Sequence, residues 1–476
     1  MNFTYKPQRL NRRAFIGGGF ASVCLGVGSR VGAQEIPFTS HSAIVFVPGN
    51  GEDSGMWRTL FWRFESNGIS PSQLFAFDPT FPAARSAMGS DDTSPVPDRS
   101  STQNQVEELA AFIKQVIDAS GARAVALVGH SRGGLAIRNY LKQYGAKRIS
   151  HVILAGTPNL GLVRVPGNLM NEFNGLGPFI SGLNTIPVVD YAPTRFLTVR
   201  SLRSDPFYQA DGRYLGLPGR PTGITPEAAS LPGAENIAFE GFDHLQTALH
   251  PLAFAAMFKF LTGRAPDSGI VESSALKIGG RVFDVGQEGV PVNRVPKGAR
   301  VSVFVVDAAT GSRLGDALLA SAPGGEGRWG PVTPKPGQFL EIELTTAEQG
   351  TTHLYYPPFA RSSDLVNIRP VSRSAPDAVG FGQKLAEPSF AMMRRSTAYI
   401  GPARDKFHIN GTVPVAMSLG TQRAQPDSDP LPTTSQRGLW LECGSGSAVG
   451  TLNEVAVPLR LFPYRDGHIS AIEFSN

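Results

Sequence analysis

The chain has 476 residues, 41% of them hydrophobic, which is enough to build two or three domains with separate cores. Only 17% are charged, and 53 glycines with 38 prolines favour short strands and turns over long solvated helices. The first 33 residues hold five of the 44 basic residues and none of the 39 acidic ones, so the remainder is balanced and predicts no nucleic-acid partner.

Residues 1–33 have the pattern of an export signal. Arg12 and Arg13 stand before the apolar stretch 14–25, and small residues suited to cleavage follow at 31–33. NRRAFIG resembles the twin-arginine motif, which implies a folded protein exported to the periplasm or the medium; an ordinary secretory signal is the alternative. Only Cys443 would remain in the mature chain, which excludes an intramolecular disulfide.

From about residue 41 to 263, short apolar runs alternate with amphipathic segments, which is typical of a parallel sheet with helices on both faces. Solidly apolar strands indicate a sheet buried on both sides. A helix with apolar residues from Val106 to Ile117 is expected to take Thr102 as its N-cap. The predicted strands are 43–47, 73–77, 124–128, 151–155, 196–199 and 236–239.

After residue 265 the chain changes to short alternating strands separated by Gly, Pro and Asp-rich turns. The sequence predicts an α/β domain over 34–265, a β-sandwich over 270–370 and a second β-rich domain over 371–476. The predicted class is therefore α/β, followed by a β-rich, sandwich-like C-terminal region.

The segment Gly129-His130-Ser131-Arg132-Gly133 follows a predicted strand and opens a helix. A turn this sharp forces Ser131 into an unfavourable backbone conformation and brings chain so near that side chains at 129 and 133 would clash. It matches the G-x-S-x-G nucleophile elbow, which exposes the serine hydroxyl above the sheet. An ordinary Gly-rich turn is the alternative.

A serine nucleophile needs a histidine base and an orienting acid, which follow in the chain order Ser, Asp, His. His244 follows the last predicted strand of this region, and of the eight histidines it has the best context. Asp205 stands a few residues past the strand 196–199 and is favoured as the acid. Asp211 stays open as the alternative, although a turn aspartate also explains it.

Backbone amides are expected to stabilise the oxyanion that forms during acyl transfer. The loop Val47-Pro48-Gly49-Asn50-Gly51 follows the first strand, where the Asn50 amide would face the substrate carbonyl together with the Arg132 amide. A plain strand-ending turn is the alternative, and Pro48 stands where many related proteins carry histidine.

Together VFVPGNG, VGHSRGG, AGTPNLG and GFDH resemble bacterial lipases and esterases of the α/β-hydrolase superfamily, over about residues 44–263. The β-rich half resembles, loosely, the C-terminal domain of some archaeal lipases. The resemblance implies an exported carboxylic ester hydrolase with the triad Ser131, Asp205 and His244. It implies a lipid or ester substrate, and no metal or other cofactor is expected; the sequence leaves structural calcium and oligomeric state open.

Residues 158–190 are rich in large apolar side chains and glycine, which predicts a small cap over the nucleophile. Packing into the core explains the same pattern equally well. A polyhydroxyalkanoate depolymerase with the same triad is the nearest alternative function. In a third hypothesis the β-rich half is a binding or adhesion module on a passive hydrolase scaffold.

Overall fold

The structure is a computed structural model that describes residues 37–85, 95–210, 221–372, 388–401, 404–411, 436–441 and 445–475. The predicted signal segment, Asp211 and Cys443 lie outside the described residues. The chain divides into two units, 1–34 and 35–476, so every described residue belongs to the second unit.

A six-stranded, all-parallel sheet forms the first half, in the order β2-β1-β3-β4-β5-β6. Its members are β1 (Ser42–Val47), β2 (Leu74–Ala76), β3 (Ala124–His130), β4 (Ile149–Ala155), β5 (Arg195–Ser201) and β6 (Glu235–Phe239). Every residue of β1, β3 and β4 is buried, as expected for strands covered on both faces. All six strands lie where the sequence predicts them.

Helices cover both faces of this sheet. Alternate strand residues point to opposite sides, so neighbouring residues of one strand pack against different helices. Phe46 packs with α1 and α6, whereas Val45 packs with α2 and α3. The helices are α1 (Arg58–Ser66), α2 (Val106–Ser120), α3 (Arg132–Tyr144), α4 (Pro178–Leu183), α5 (Gln246–Leu249) and α6 (Pro251–Thr262). The prediction of Thr102 as N-cap of α2 is wrong: Gln105 is the N-cap, and Thr102 is buried against the side chain of Arg132.

The second half is built from β-strands, of which seven form one mixed sheet in the order β11-β10-β13-β14-β20-β15-β17. These are β10 (Arg300–Val306), β11 (Leu319–Ser321), β13 (Phe339–Thr346), β14 (Gly350–Tyr356), β15 (Ser389–Arg395), β17 (Gln436–Leu441) and β20 (His468–Phe474). The smaller sheets contain β7 (Ile278–Arg281), β8 (Asp284–Val285), β9 (Pro291–Val292), β12 (Arg328–Val332), β16 (Phe407–Ile409), β18 (Gly446–Leu452) and β19 (Val455–Leu461).

This large sheet crosses the boundary that the sequence predicts near residue 371. The last strand, β20, lies in parallel between β14 and β15, with Thr351 opposite His468 and Ala391 opposite Ser470. Strands from both predicted β domains therefore share one sheet. A local pattern of alternating residues carries no information about such distant pairing, which is why the sequence suggests two separate pieces.

The two halves of the second unit pack directly on each other. The buried guanidinium of Arg58 in α1 pairs with Glu473 in β20, and Trp62 Nε1 donates to the Ser362 carbonyl at 2.9 Å. Asn367 donates to Asp53 at 2.9 Å. None of the helices in the described ranges has the length and apolar content needed to cross a bilayer.

Candidate active site

Ser131 lies at the turn from β3 to α3 with φ 53° and ψ −121°, a strained conformation for a residue with a side chain. A Cβ at Gly133 would lie 2.3 Å from the Val47 carbonyl oxygen, and one at Gly134 would lie 1.9 Å from Thr157 Oγ1. A Cβ at Gly129 would lie 2.7 Å from the Gly134 backbone. Only glycine fits at these positions, and their close packing holds the serine in its strained turn.

The histidine before the serine is buried and hydrogen-bonded at both ring nitrogens. His130 Nδ1 lies 2.9 Å from Glu52 Oε2, and its Nε2 lies 3.1 Å from the carbonyl oxygen of His244. Both partners are acceptors, so satisfying both requires an N–H on each nitrogen, which is the imidazolium form. Burial opposes this charge, but the Glu52 carboxylate outweighs it and the pKa of His130 lies above its ordinary value.

The structure brings His244 and Asp205 together. His244 Nδ1 lies 2.7 Å from Asp205 Oδ2, and both side chains are almost completely buried. Asp205 follows β5 and also accepts the Phe207 amide at 3.0 Å, while the Phe207 ring packs edge-on against the imidazole. This arrangement sets the direction in which the free ring nitrogen, Nε2, points.

Residues adjacent to Ser131 in the chain or hydrogen-bonded to it lie close to His244. The Ser131 amide donates to the Ala155 carbonyl at 2.8 Å, and a Cβ on the following Gly156 would lie 3.2 Å from His244 Cε1. On the other side, His130 contacts the His244 carbonyl. The described residues contain no hydrogen bond between the Ser131 hydroxyl and His244 Nε2; such bonds commonly tighten only when substrate is present.

The two amides predicted to hold an oxyanion, those of Asn50 and Arg132, have no hydrogen-bond acceptor among the described residues. Arg132 is the first residue of α3, where backbone amides have no partner within the helix. The Asn50 side chain accepts the Ala84 amide at 2.7 Å and so holds its own loop in place. Both amides therefore stay candidates for the oxyanion contacts.

The side chain of Arg132 holds the turn between β3 and α3 in place. It is buried and forms an ion pair with the completely buried Glu172 at 2.9 Å, and it also donates to the Pro82 and Ser100 carbonyls. Because the same residue supplies the free amide, these bonds orient that amide as well.

Several residues that the sequence analysis does not single out support the site. Glu52 accepts both His130 and the Gly49 amide, the latter at 2.7 Å. From the β-rich half, Arg404 donates to Asp243 Oδ2 at 2.9 Å, and the Tyr399 amide donates to the same oxygen at 3.0 Å. The loop that carries His244 is therefore held by both halves, and no local motif signals this contact.

The predicted cap segment, 158–190, contains both buried and exposed parts. Glu172 and Ile180 are buried against the nucleophile region, while Leu169, Met170 and Leu176 are exposed. One part of this segment is therefore fixed by packing against the protein, and another part presents apolar side chains to solvent. Movement of the segment as a lid stays a prediction.

One group of possible metal ligands occurs among the described residues, far along the chain from the serine. Ligand atoms of Glu341, Glu343 and His353 lie within 4.8 Å of one another. Arg313 donates to both carboxylates, and His353 Nε2 lies 2.7 Å from His468 Nδ1. The atoms that could bind a metal are therefore already engaged in hydrogen bonds and ion pairs with neighbouring side chains.

A parallel sheet with helices on both faces, a strained serine after β3 and a histidine–carboxylate pair beyond β5 and β6 are features of the α/β-hydrolase fold, here followed by a β-rich C-terminal region. Residues 42–176 match the family model described as alpha/beta hydrolase fold, and residues 274–373 match the lipase C-terminal domain. These two matches confirm the fold class and the family resemblance predicted from the sequence.

Two curated relatives match a shorter stretch. A triacylglycerol lipase of Pseudarthrobacter phenanthrenivorans and one of Burkholderia plantarii are each 44% identical over 55 residues, 12% of this chain. The chain spans 17% and 15% of the length of these relatives. Among solved structures, the mature lipase of Bacillus licheniformis is 23% identical with a TM-score of 0.34, covering 48% of this chain and 95% of that one. Aspergillus fumigatus lipase B is 17% identical with a TM-score of 0.33, covering 49% and 57%.

Proposed function

We propose that the protein is an exported serine ester hydrolase that acts on lipid or other carboxylic esters through an acyl-enzyme. The observation that carries the proposal is the strained conformation of Ser131 together with the buried His244, whose Nδ1 lies 2.7 Å from Asp205 Oδ2. The family matches and the triacylglycerol lipase relatives support the same reaction class. Export rests on the twin-arginine-like segment of the sequence.

In the proposed first step, Ser131 Oγ attacks the ester carbonyl and its proton passes to His244 Nε2. Asp205 stabilises the imidazolium that forms, and the amides of Asn50 and Arg132 bind the oxyanion. Collapse of the tetrahedral intermediate breaks the ester C–O bond, and His244 returns the proton to the leaving alcohol.

In the second step, water attacks the acyl-enzyme while His244 accepts a proton from it. The acid is released, and the proton returns to Ser131 Oγ. All atoms come from the ester and one water molecule, so the reaction as proposed requires no redox group.

The test combines active-site labelling with a substrate series. A fluorophosphonate probe should label the wild type and the control Ser72→Ala, whose serine is exposed, and should not label Ser131→Ala. The same three proteins are assayed on p-nitrophenyl esters from acetate to palmitate. An unlabelled wild type, or ester hydrolysis that survives in Ser131→Ala, would overturn the proposal and favour the binding-module hypothesis.

The natural substrate class needs a separate comparison. We expect triolein to be hydrolysed and a polyhydroxybutyrate film to be left intact. Loss of the film with no release of fatty acid from triolein would instead identify the polyester depolymerase.

A further inference from the structure

We propose that a cleft between the two halves of the molecule binds an organic carboxylate with an apolar chain, held by the guanidinium of Arg394. The cleft has a volume of about 260 Å³. The proposal does not depend on the proposed hydrolase activity, because Arg394, which would hold the carboxylate, belongs neither to the proposed triad nor to the oxyanion contacts.

The cleft lies where the loop and turn after β1 face one end of the large β-sheet. Glu52 and Met56 line it from the hydrolase half, and Met392, Arg394 and Glu473 line it from β15 and β20. Met392 and Arg394 are two residues apart on one strand, so their side chains leave the same face of the sheet.

Charge pairing inside the cleft leaves one cation over. Glu473 is paired with Arg58, and Asp53 is paired with Arg369 at 3.3 Å. Glu52 faces His130 at 2.9 Å.

Four arginines line the cleft: Arg58, Arg369, Arg394 and Arg395. Arg395 pairs with Asp405 at 2.8 Å. No described residue forms an ion pair or hydrogen bond with the guanidinium of Arg394.

Two buried donors lie unused in this cleft wall. The Nε atoms of Arg58 and Arg394 are both buried, and neither has a hydrogen-bond partner among the described residues. A buried N–H without an acceptor is costly, and a charged one more so, which makes such groups rare unless a ligand or water completes them. An anionic oxygen group in the cleft would supply the missing acceptor.

The apolar part of the lining favours a carboxylate with a chain over inorganic phosphate. Met56, Leu245, Val285, Leu365 and Met392 all contribute to the wall. These side chains offer contact area to methylene groups but no hydrogen bonds to a phosphate. A guanidinium beside an apolar wall matches the two ends of a short fatty acid.

Isothermal titration calorimetry of the purified full-length protein with sodium octanoate tests the proposal, with acetate, 1-octanol and inorganic phosphate as comparison ligands. We expect octanoate to bind more tightly than the other three. Arg394→Gln should weaken octanoate at least about tenfold, since a charged hydrogen bond is lost. The control Arg328→Gln, at an exposed arginine of the same half, should leave affinity unchanged.

A second variant keeps the test informative if Arg394→Gln folds poorly. Gln436 on β17 lies directly opposite Arg394 and is exposed. Gln436→Glu would supply the guanidinium with an internal carboxylate and should also weaken octanoate. Equal octanoate affinity in the wild type and both variants, or tighter binding of phosphate or octanol than of octanoate, would overturn the proposal. Because calorimetry reads binding directly, an inactive but octanoate-binding protein would contradict only the hydrolase function.

Discussion

The described residues include two buried histidine–carboxylate pairs with the same Nδ1-to-oxygen distance, 2.7 Å, in different halves of the molecule. One is His244 with Asp205, in the half that contains the parallel sheet, and the other is His353 with Glu341, in the β-rich half. Burial and distance alone do not distinguish them.

The surroundings of the second ring nitrogen separate the pairs. His353 Nε2 is bound to His468, and the ring stacks on Phe462 at 4.1 Å, so the imidazole is closed off on each side. Among the described residues, His244 Nε2 has no hydrogen-bond partner, and residues around this histidine also contact the strained Ser131 turn. A histidine–carboxylate pair is therefore a candidate catalytic base only when its other nitrogen has no partner within the protein.

The largest expected effect tests this difference directly. Asp205→Asn should lower kcat/KM for p-nitrophenyl esters by about 10⁴-fold, because the amide holds His244 in the wrong tautomer. Glu341→Gln is the matched control in the other pair and should leave kcat/KM within about twofold. A retained rate in Asp205→Asn would move the acid elsewhere, with Asp211→Asn as the next variant to assay.

When the free energy of unfolding is measured instead of kcat/KM, Glu341→Gln should have a larger effect than Asp205→Asn. Glu341→Gln should reduce the free energy of unfolding by about 3 kcal/mol, because it leaves Arg313 without its buried counter-ion and His353 Nδ1 without its carboxylate partner. Glu343 contacts the same arginine but is more exposed, 24% against 1% for Glu341, so Glu343→Gln should cost less than about 1 kcal/mol. Urea unfolding at neutral pH measures both; equal losses would mean that the pair contributes only as a surface ion pair.

A third buried histidine shows what burial does without a carboxylate. Burial, with Arg195 adding to it, lowers the pKa of His151 to about 4. The unfolded chain then binds a proton that the folded protein does not. The contribution of neutral His151 to the free energy of unfolding is therefore fully present above about pH 6.5 and is lost as pH falls toward 4.

Between pH 7.5 and pH 5 this linkage should remove about 2 kcal/mol of unfolding free energy. In His151→Gln that part of the pH dependence should vanish, and the two urea-unfolding series are compared by slope, so a uniform loss of stability does not matter. Parallel slopes would show that His151 titrates normally in the folded protein.

Features predictable from the sequence are those set by residues close together in the chain. The six strands of the parallel sheet and the Gly129–Gly134 turn follow from local apolar runs and from glycine spacing. The contact between Asp205 and His244 was predictable because both residues follow strand ends, which a parallel sheet brings to one edge; their catalytic roles stay a prediction.

Features that depend on distant pairing were not predictable. β20 lies between β14 and β15 because of sheet register, which the predicted boundary near 371 does not anticipate. Arg404 reaches Asp243 across 161 positions of the chain. Glu52 is a different case: it stands two residues after Asn50, and its role appears only when His130 is seen beside it.

The smallest expected effect concerns this Glu52–His130 pair, a third kind of histidine–carboxylate contact, in which both ring nitrogens face acceptors. Glu52→Gln should lower kcat about tenfold, because a neutral amide no longer holds His130 charged and the Gly49 loop and the His244 carbonyl lose a shared anchor. Its KM should change little, since Glu52 does not belong to the proposed oxyanion or acyl contacts.

The pH dependence of the free energy of unfolding shows whether Glu52 acts through a charged His130. The pKa of His130 is raised in the folded protein, so the stabilising pair is complete below about pH 6.5 and is lost as pH rises through the higher folded value. The difference in unfolding free energy between wild type and Glu52→Gln should therefore be largest near pH 6 and shrink in alkali. A difference that is constant from pH 6 to 9 would mean that Glu52 acts through the Gly49 amide alone, and that His130 is an ordinary neutral core histidine.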